Sequence, residues 1–143
     1  MLQSVLLAAG LVLAVAQTGA QQFAGTWTAA LDGKTYARLE LRESAGMLSG
    51  RISLGDIHVN ADGVVDDVSR PARDFTPIFD VRMENGGVSF ARKDGDDTDH
   101  FEMQMLDGDV RLALILTAED RETLAREGVP LPKPLRLVRV TKQ

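Results

Sequence analysis

From Trp27 onward the chain alternates apolar and polar residues with period two, and Asn, Asp and Gly break the alternation at short intervals. Successive side chains of a strand point to opposite faces, so this pattern predicts half-buried strands joined by tight turns. Trp27, Ala29 and Leu31 share one face, and Asp32-Gly33 marks a turn. Ala37, Leu39 and Leu41 come next, then Leu48, Ile52 and Leu54, then Ile57 and Val59, with a short apolar piece at Val64-Val65. After a proline-containing stretch from Asp66 to Pro77, expected as a loop, come Phe79, Val81 and Met83. Asn85-Gly86 is a strong hairpin turn because both residues accept positive φ cheaply. Val88 and Phe90, then Phe101, Met103 and Met105, then Val110, Leu112, Leu114 and Leu116 complete the run.

One helix interrupts the strands. Thr117 suits an N-cap and Asp120 stands at N3, a near capping box. Arg126 falls in the last turn, Gly128 is a stop, and Pro130, Pro132 and Pro134 stiffen the loop beyond it. A last strand is expected from Leu135 to Thr141. The expected fold is therefore all-β: an antiparallel up-and-down meander of roughly eight to ten strands with one short helix before the last strand. A meander with one apolar face must bury it. Hairpins of similar length favour closure into a barrel over a sandwich.

The chain has 143 residues, enough for a single domain. The apolar run Val5 to Ala16 spans about 12 residues, short of the roughly 20 that cross a bilayer as a helix. Ala14-Val15-Ala16 and Thr18-Gly19-Ala20 offer signal-peptidase sites, so residues 1–20 read as a signal peptide cleaved after Ala16 or Ala20. Residues 21–143 then form one domain, exported to a bacterial periplasm or secreted, with no membrane anchor. Cysteine is absent, which excludes disulfides, thiolate nucleophiles and cysteine zinc sites. A net charge of −5 gives no electrostatic drive toward nucleic acid.

The segment Phe23-Ala24-Gly25-Thr26-Trp27 resembles the Gly-x-Trp opening of the calycin superfamily, which includes lipocalins, fatty-acid-binding proteins, avidins and bacterial metalloprotease inhibitors. The resemblance implies a lipocalin-like barrel in which the tryptophan closes one end. An arginine from near the last strand would pack across it, as a cation does over an indole face. Arg136, Arg139 and Arg121 are the candidates. The helix after Thr117 stands where lipocalins place one. The Asp-Tyr motif of lipocalins, the helix pair of fatty-acid-binding proteins and the polar shell of avidins are missing here, so the likeness is lipocalin-like and no closer.

Convergent titratable groups are not assembled by any spacing, so no catalytic residue and no cofactor is expected. Asp94-Gly95-Asp96-Asp97-Thr98-Asp99-His100 is the best cation candidate. A solvated hairpin tip explains it more simply, and no metal is expected. His58 and His100 fall on polar faces. The inward face reads as almost wholly apolar, with Leu39, Phe79, Met83, Phe90, Phe101, Met103 and Leu114 as candidate lining of a ligand site. An eight-stranded barrel sits at the size where side chains fill it or leave room for one small molecule. Two function classes are consistent with this. The first is a non-catalytic barrel that binds a small apolar molecule inside. The second is an interaction module with a filled core, such as an inhibitor of an exported protease, acting through the Val129–Leu135 or Ser69–Thr76 segments.

Overall fold

The computed structural model describes residues 19–106 and 108–141. Most of the expected signal peptide lies outside them. The described chain forms ten strands, with one helix before the last of them, in the order β1 (Gly25–Leu31), β2 (Lys34–Ser44), β3 (Met47–Leu54), β4 (Asp56–Val59), β5 (Val65–Arg70), β6 (Thr76–Glu84), β7 (Gly87–Asp94), β8 (Asp97–Leu106), β9 (Asp109–Ile115), α1 (Ala118–Arg126) and β10 (Leu135–Arg139); residues 19–21, ahead of β1, are also helical. Eight strands close an antiparallel barrel in the order β1-β10-β9-β8-β7-β6-β3-β2. The up-and-down connectivity is the one that the alternation predicts. It is broken once, where β4 and β5 leave the wall between β3 and β6 and pair only with each other.

Closure is made by β10, which pairs with β9 on one side and with β1 on the other. The helix before it obeys its local signals. Thr117 Oγ1 accepts from the Asp120 N–H at 3.1 Å, and Asp120 Oδ2 accepts from the Thr117 N–H at 3.3 Å, so the capping box is complete. No residue of α1 is buried. Its local capping, rather than packing, marks where it forms.

Inward rows run across the strands as the pleat requires. Trp27 lies opposite Leu39, which lies opposite Ile52. Phe90 lies opposite Phe101, which lies opposite Leu114. Val88, Met103 and Leu112 form the next row. Phe90 and Phe101 stack at 5.4 Å between centroids. With Leu39, Ile52 and Met103 they are buried and fill the middle of the barrel. Each such side chain contributes about 1.5–3 kcal/mol relative to exposure.

One end of the barrel is plugged by the segment that enters β1. Phe23 is fully buried and Ala20 nearly so. Phe23 N–H donates to Ala20 O at 3.1 Å, and the indole Nε1–H of Trp27 donates to Phe23 O at 2.9 Å. The Arg139 guanidinium lies 4.2 Å from the Trp27 ring centroid. It also donates to Ala24 O and, at 2.6 Å, to Gln22 O. One side chain thus stacks on the indole and ties down the backbone of the plug.

Two sequence expectations change here. Asp66–Pro77 is not one loop, because β5 occupies Val65–Arg70 and β6 begins at Thr76. In β6, Ile78 pairs with Arg92 and Met83 with Val88. The six residues from Ile78 to Met83 therefore face the five from Val88 to Arg92. The extra residue is a β-bulge, and Asp80 within it has φ 52°. Strict alternation puts Phe79 on the face of Met83; the bulge moves it to the row of Ala91, which faces outward.

The plug gives a direct test. Gly25 has φ 129°, and a Cβ there would lie 2.8 Å from Arg139 Nη1. Gly25→Ala is expected to lower stability by about 1–3 kcal/mol in urea unfolding, through backbone strain and displacement of the arginine. Arg139→Leu is expected to lower it while retaining barrel circular dichroism.

Candidate functional site

The end opposite Trp27 is open. A cavity of about 340 Å³ lies there. Its apolar wall is Leu54, Ile57, Phe101, Leu112, Leu114 and Leu135, and its polar lining is Tyr36, Asp56, Arg70, Arg92, Asp94 and Lys133. This volume is at the lower end of the range for small-molecule pockets. The residues come from the far ends of β2, β3, β7, β8 and β9, the start of β10, the β4–β5 ribbon and the loop before β10.

Local irregularities build this rim. Tyr36 is the extra residue of a bulge in β2, since Ala29 pairs with Ala37 and Ala30 with Thr35. Its carbonyl accepts from the Gly55 N–H at 2.8 Å, where β3 gives way to the ribbon. Burial raises the Tyr36 phenol pKa above its ordinary value of 10.0, so the group is a neutral donor at physiological pH. The ribbon's turn meets the proline loop, with the Lys133 N–H donating to Gly63 O at 2.9 Å. Gly63 has φ 83°, and a Cβ there would lie 2.5 Å from Leu131 O. Only glycine fits that contact without a backbone shift.

The charged groups of the rim are partly paired. Arg70 Nε lies 3.1 Å from Asp56 Oδ2, with both side chains exposed. Arg92 Nη2 lies 3.2 Å from Asp99 Oδ2. The Arg92 side chain is only 17% exposed, and its guanidinium carbon is 5.7 Å from the Phe101 ring centroid. Arg92 and Asp99 are register partners on the inward face, beyond Phe90 and Phe101. The expectation of an almost wholly apolar interior therefore needs correction: the rim of the interior carries a cation and a carboxylate as an ion pair. Alternation from Phe90 to Arg92, and from Phe101 back to Asp99, is the sequence signal that points to them.

The expected lining residues divide three ways. Phe101 and Leu114 line the cavity, Leu114 at 40% exposure because it stands at the mouth. Leu39, Phe90 and Met103 are buried in the filled middle of the barrel. Phe79 and Met83 do neither and are 38% and 43% exposed. The bulge turns Phe79 outward, and Met83 sits beside the Asn85-Gly86 turn at the plugged end, far along β6 from the mouth. Among the arginines, Arg139 packs on Trp27. Arg136 does not, because it alternates to the outer face of β10, where it bonds Asp109 Oδ1 at 3.2 Å. Arg121 belongs to the exposed helix α1.

The remaining candidates lie apart from the cavity's apolar wall. His100 is exposed on β8, in the outward row of Ala91 and Ile115. Among the described residues, no group of three or more His, Asp or Glu side chains is placed to hold a metal ion. His58 lies on the ribbon with Nδ1 2.5 Å from Asp66 Oδ1. The hydrogen bond and charge of Asp66, with a further contribution from Asp67, hold the His58 pKa above its ordinary value of 6.5.

The structure thus defines a small closed antiparallel barrel, plugged at one end and hollow at the other, an architecture consistent with a calycin-like barrel. Compared with protein families, curated proteins and solved structures, the chain has no match.

The ribbon offers a pH-dependent readout. A histidine raised in the folded state gives its full stabilising contribution below its unfolded value and loses it as pH rises through the folded value. The His58–Asp66 contact is therefore expected to tighten the ribbon below the ordinary histidine value of 6.5 and to loosen as pH rises through the raised value of the folded state. NMR titration of the imidazole protons is expected to place the His58 midpoint above 6.5 in the native chain. Asp66→Asn is expected to bring it down.

Proposed function

We propose that the protein is a non-catalytic carrier of a small apolar molecule, which it holds at the open end of its barrel. The observation that carries this reading is the cavity of about 340 Å³, walled by Phe101, Leu112, Leu114 and Leu135. Removing apolar ligand surface from water supplies the affinity, at about 25 cal/mol per Å² before the costs of immobilisation. The filled middle and the plug close the barrel beneath this hollow, so a single molecule is held rather than a channel formed. Export to the periplasm or the cell exterior is part of the proposal. Cleavage after Ala16 would keep Ala20 in the plug, whereas cleavage after Ala20 would remove it.

The alternative is an interaction module acting through the segment before β10. Two observations favour the carrier. The interior is not filled at the open end, and the loop is tied back to the ribbon through Lys133 and Gly63 rather than left projecting.

Native mass spectrometry of protein purified gently from its exporting host is expected to show an adduct of small-molecule mass that organic extraction removes. Leu114→Trp puts a large ring at the half-exposed mouth. It is expected to reduce uptake of an uncharged naphthalene dye at least tenfold at a stability cost of no more than about 1–3 kcal/mol. Normal dye uptake in Leu114→Trp would place binding elsewhere.

A further inference from the structure

The cavity's wall and its rim differ in chemistry. Phe101, Leu112 and Leu114 offer carbon only, whereas the rim brings together Tyr36, Arg70, Arg92 and Lys133 as donors against Asp56 and Asp94. Asp56 is engaged by Arg70 through two contacts, at 3.1 and 3.3 Å. Arg92 is met by a single oxygen of Asp99, through Nε and Nη2 at 3.2 Å each, which leaves part of its guanidinium fork free. No carboxylate of the described residues lies within 4 Å of the Lys133 ammonium. Among the described residues, Asp94 is the lining carboxylate without a cation within that distance, and it stands at the exposed end of β7 beside the Gly95 turn. A cationic head group would have only Asp94 and would face Arg92 and Lys133 across the same rim. An anionic head group finds the Lys133 ammonium, the remaining Arg92 donors and the Tyr36 hydroxyl.

We propose that the ligand is an amphiphile with a singly charged anionic head, its apolar part against Phe101, Leu112 and Leu114 and its head at Lys133. This rests on the carrier reading above and adds the class of molecule carried. Lys133 is placed by its own backbone. Its N–H bonds Gly63 O in the turn of the β4–β5 ribbon, and the flanking Pro132 and Pro134 restrict the loop. The excursion of β4 and β5 from the barrel wall thereby acquires a role, which is to fix the height of a cation above the mouth. Gly63 is a positioning residue in this scheme, since any side chain there meets Leu131 O.

The test is displacement of an uncharged naphthalene dye from the full domain at pH 7.5 by decanoate, decanol and decylammonium, which share a tail and differ in head. Decanoate is expected to displace the dye at roughly tenfold lower concentration than decanol, the scale of one hydrogen bond to a charged group. Decylammonium is expected to be the weakest. Lys133→Gln, at an exposed position, is expected to erase the advantage of decanoate and leave decanol unchanged. Gly63→Ala is expected to do the same in part, with the dye still bound. Equal displacement by decanoate and decanol overturns the anionic head and leaves the apolar carrier standing. Preference for decylammonium overturns it in favour of Asp94. Failure of the native chain to bind the dye or any of the three overturns both readings.

Discussion

The stacking of Arg139 on Trp27 is the interaction on which the rest of the barrel depends. It joins the last strand to the first, at the place where β1 and β10 must pair to close the sheet. The same guanidinium reaches the carbonyls of Gln22 and Ala24, so it also holds the segment that carries Phe23 under the barrel. An indole buried at a barrel end needs a partner for its N–H, and Phe23 O supplies it. Closure of the sheet, sealing of one end and satisfaction of the buried indole are thus one arrangement. With one end sealed, any opening to the interior lies at the other.

At the open end the chain departs from a plain meander. The β4–β5 ribbon leaves the wall, turns at Gly63 and meets the proline loop before β10. Two segments far apart in sequence therefore frame one mouth. Ordinary packing explains the middle of the barrel, where large apolar side chains meet in register. It does not explain why the rim combines apolar side chains with two ion pairs and an ammonium that has no carboxylate partner among the described residues. That mixture is what an amphiphile would require, because a tail and a head need different surroundings a few ångströms apart.

Much of the architecture is legible in the sequence, since period-two patterning, turn residues and helix caps act locally. The capping box at Thr117 and the Asn85-Gly86 hairpin form as their residues dictate. The site is less legible. Alternation assumes an unbroken pleat, and one added residue at Asp80 reverses the face of everything on one side of it. Alternation misplaces Phe79 for that reason. It does carry Arg92 onto the face of Phe90, but a charged residue at the end of an apolar face reads as a frayed strand, and the ion pair is recognised once Asp99 on the next strand is found opposite it.

The sequence by itself determined the all-β class, the meander order, and the helix and its ends. These arise from side-chain periodicity and from backbone preferences of single residues. The pairing of an early tryptophan with a late arginine is an expectation of the calycin resemblance alone. Only the tertiary structure decided which arginine packs on Trp27, which strands leave the wall, and where the interior is filled or hollow. Those outcomes depend on register between strands far apart in the chain. Register is set by the bulges at Tyr36 and Asp80 and by the closure of β10 onto β1, and none of these leaves a periodic mark in the residues that it displaces.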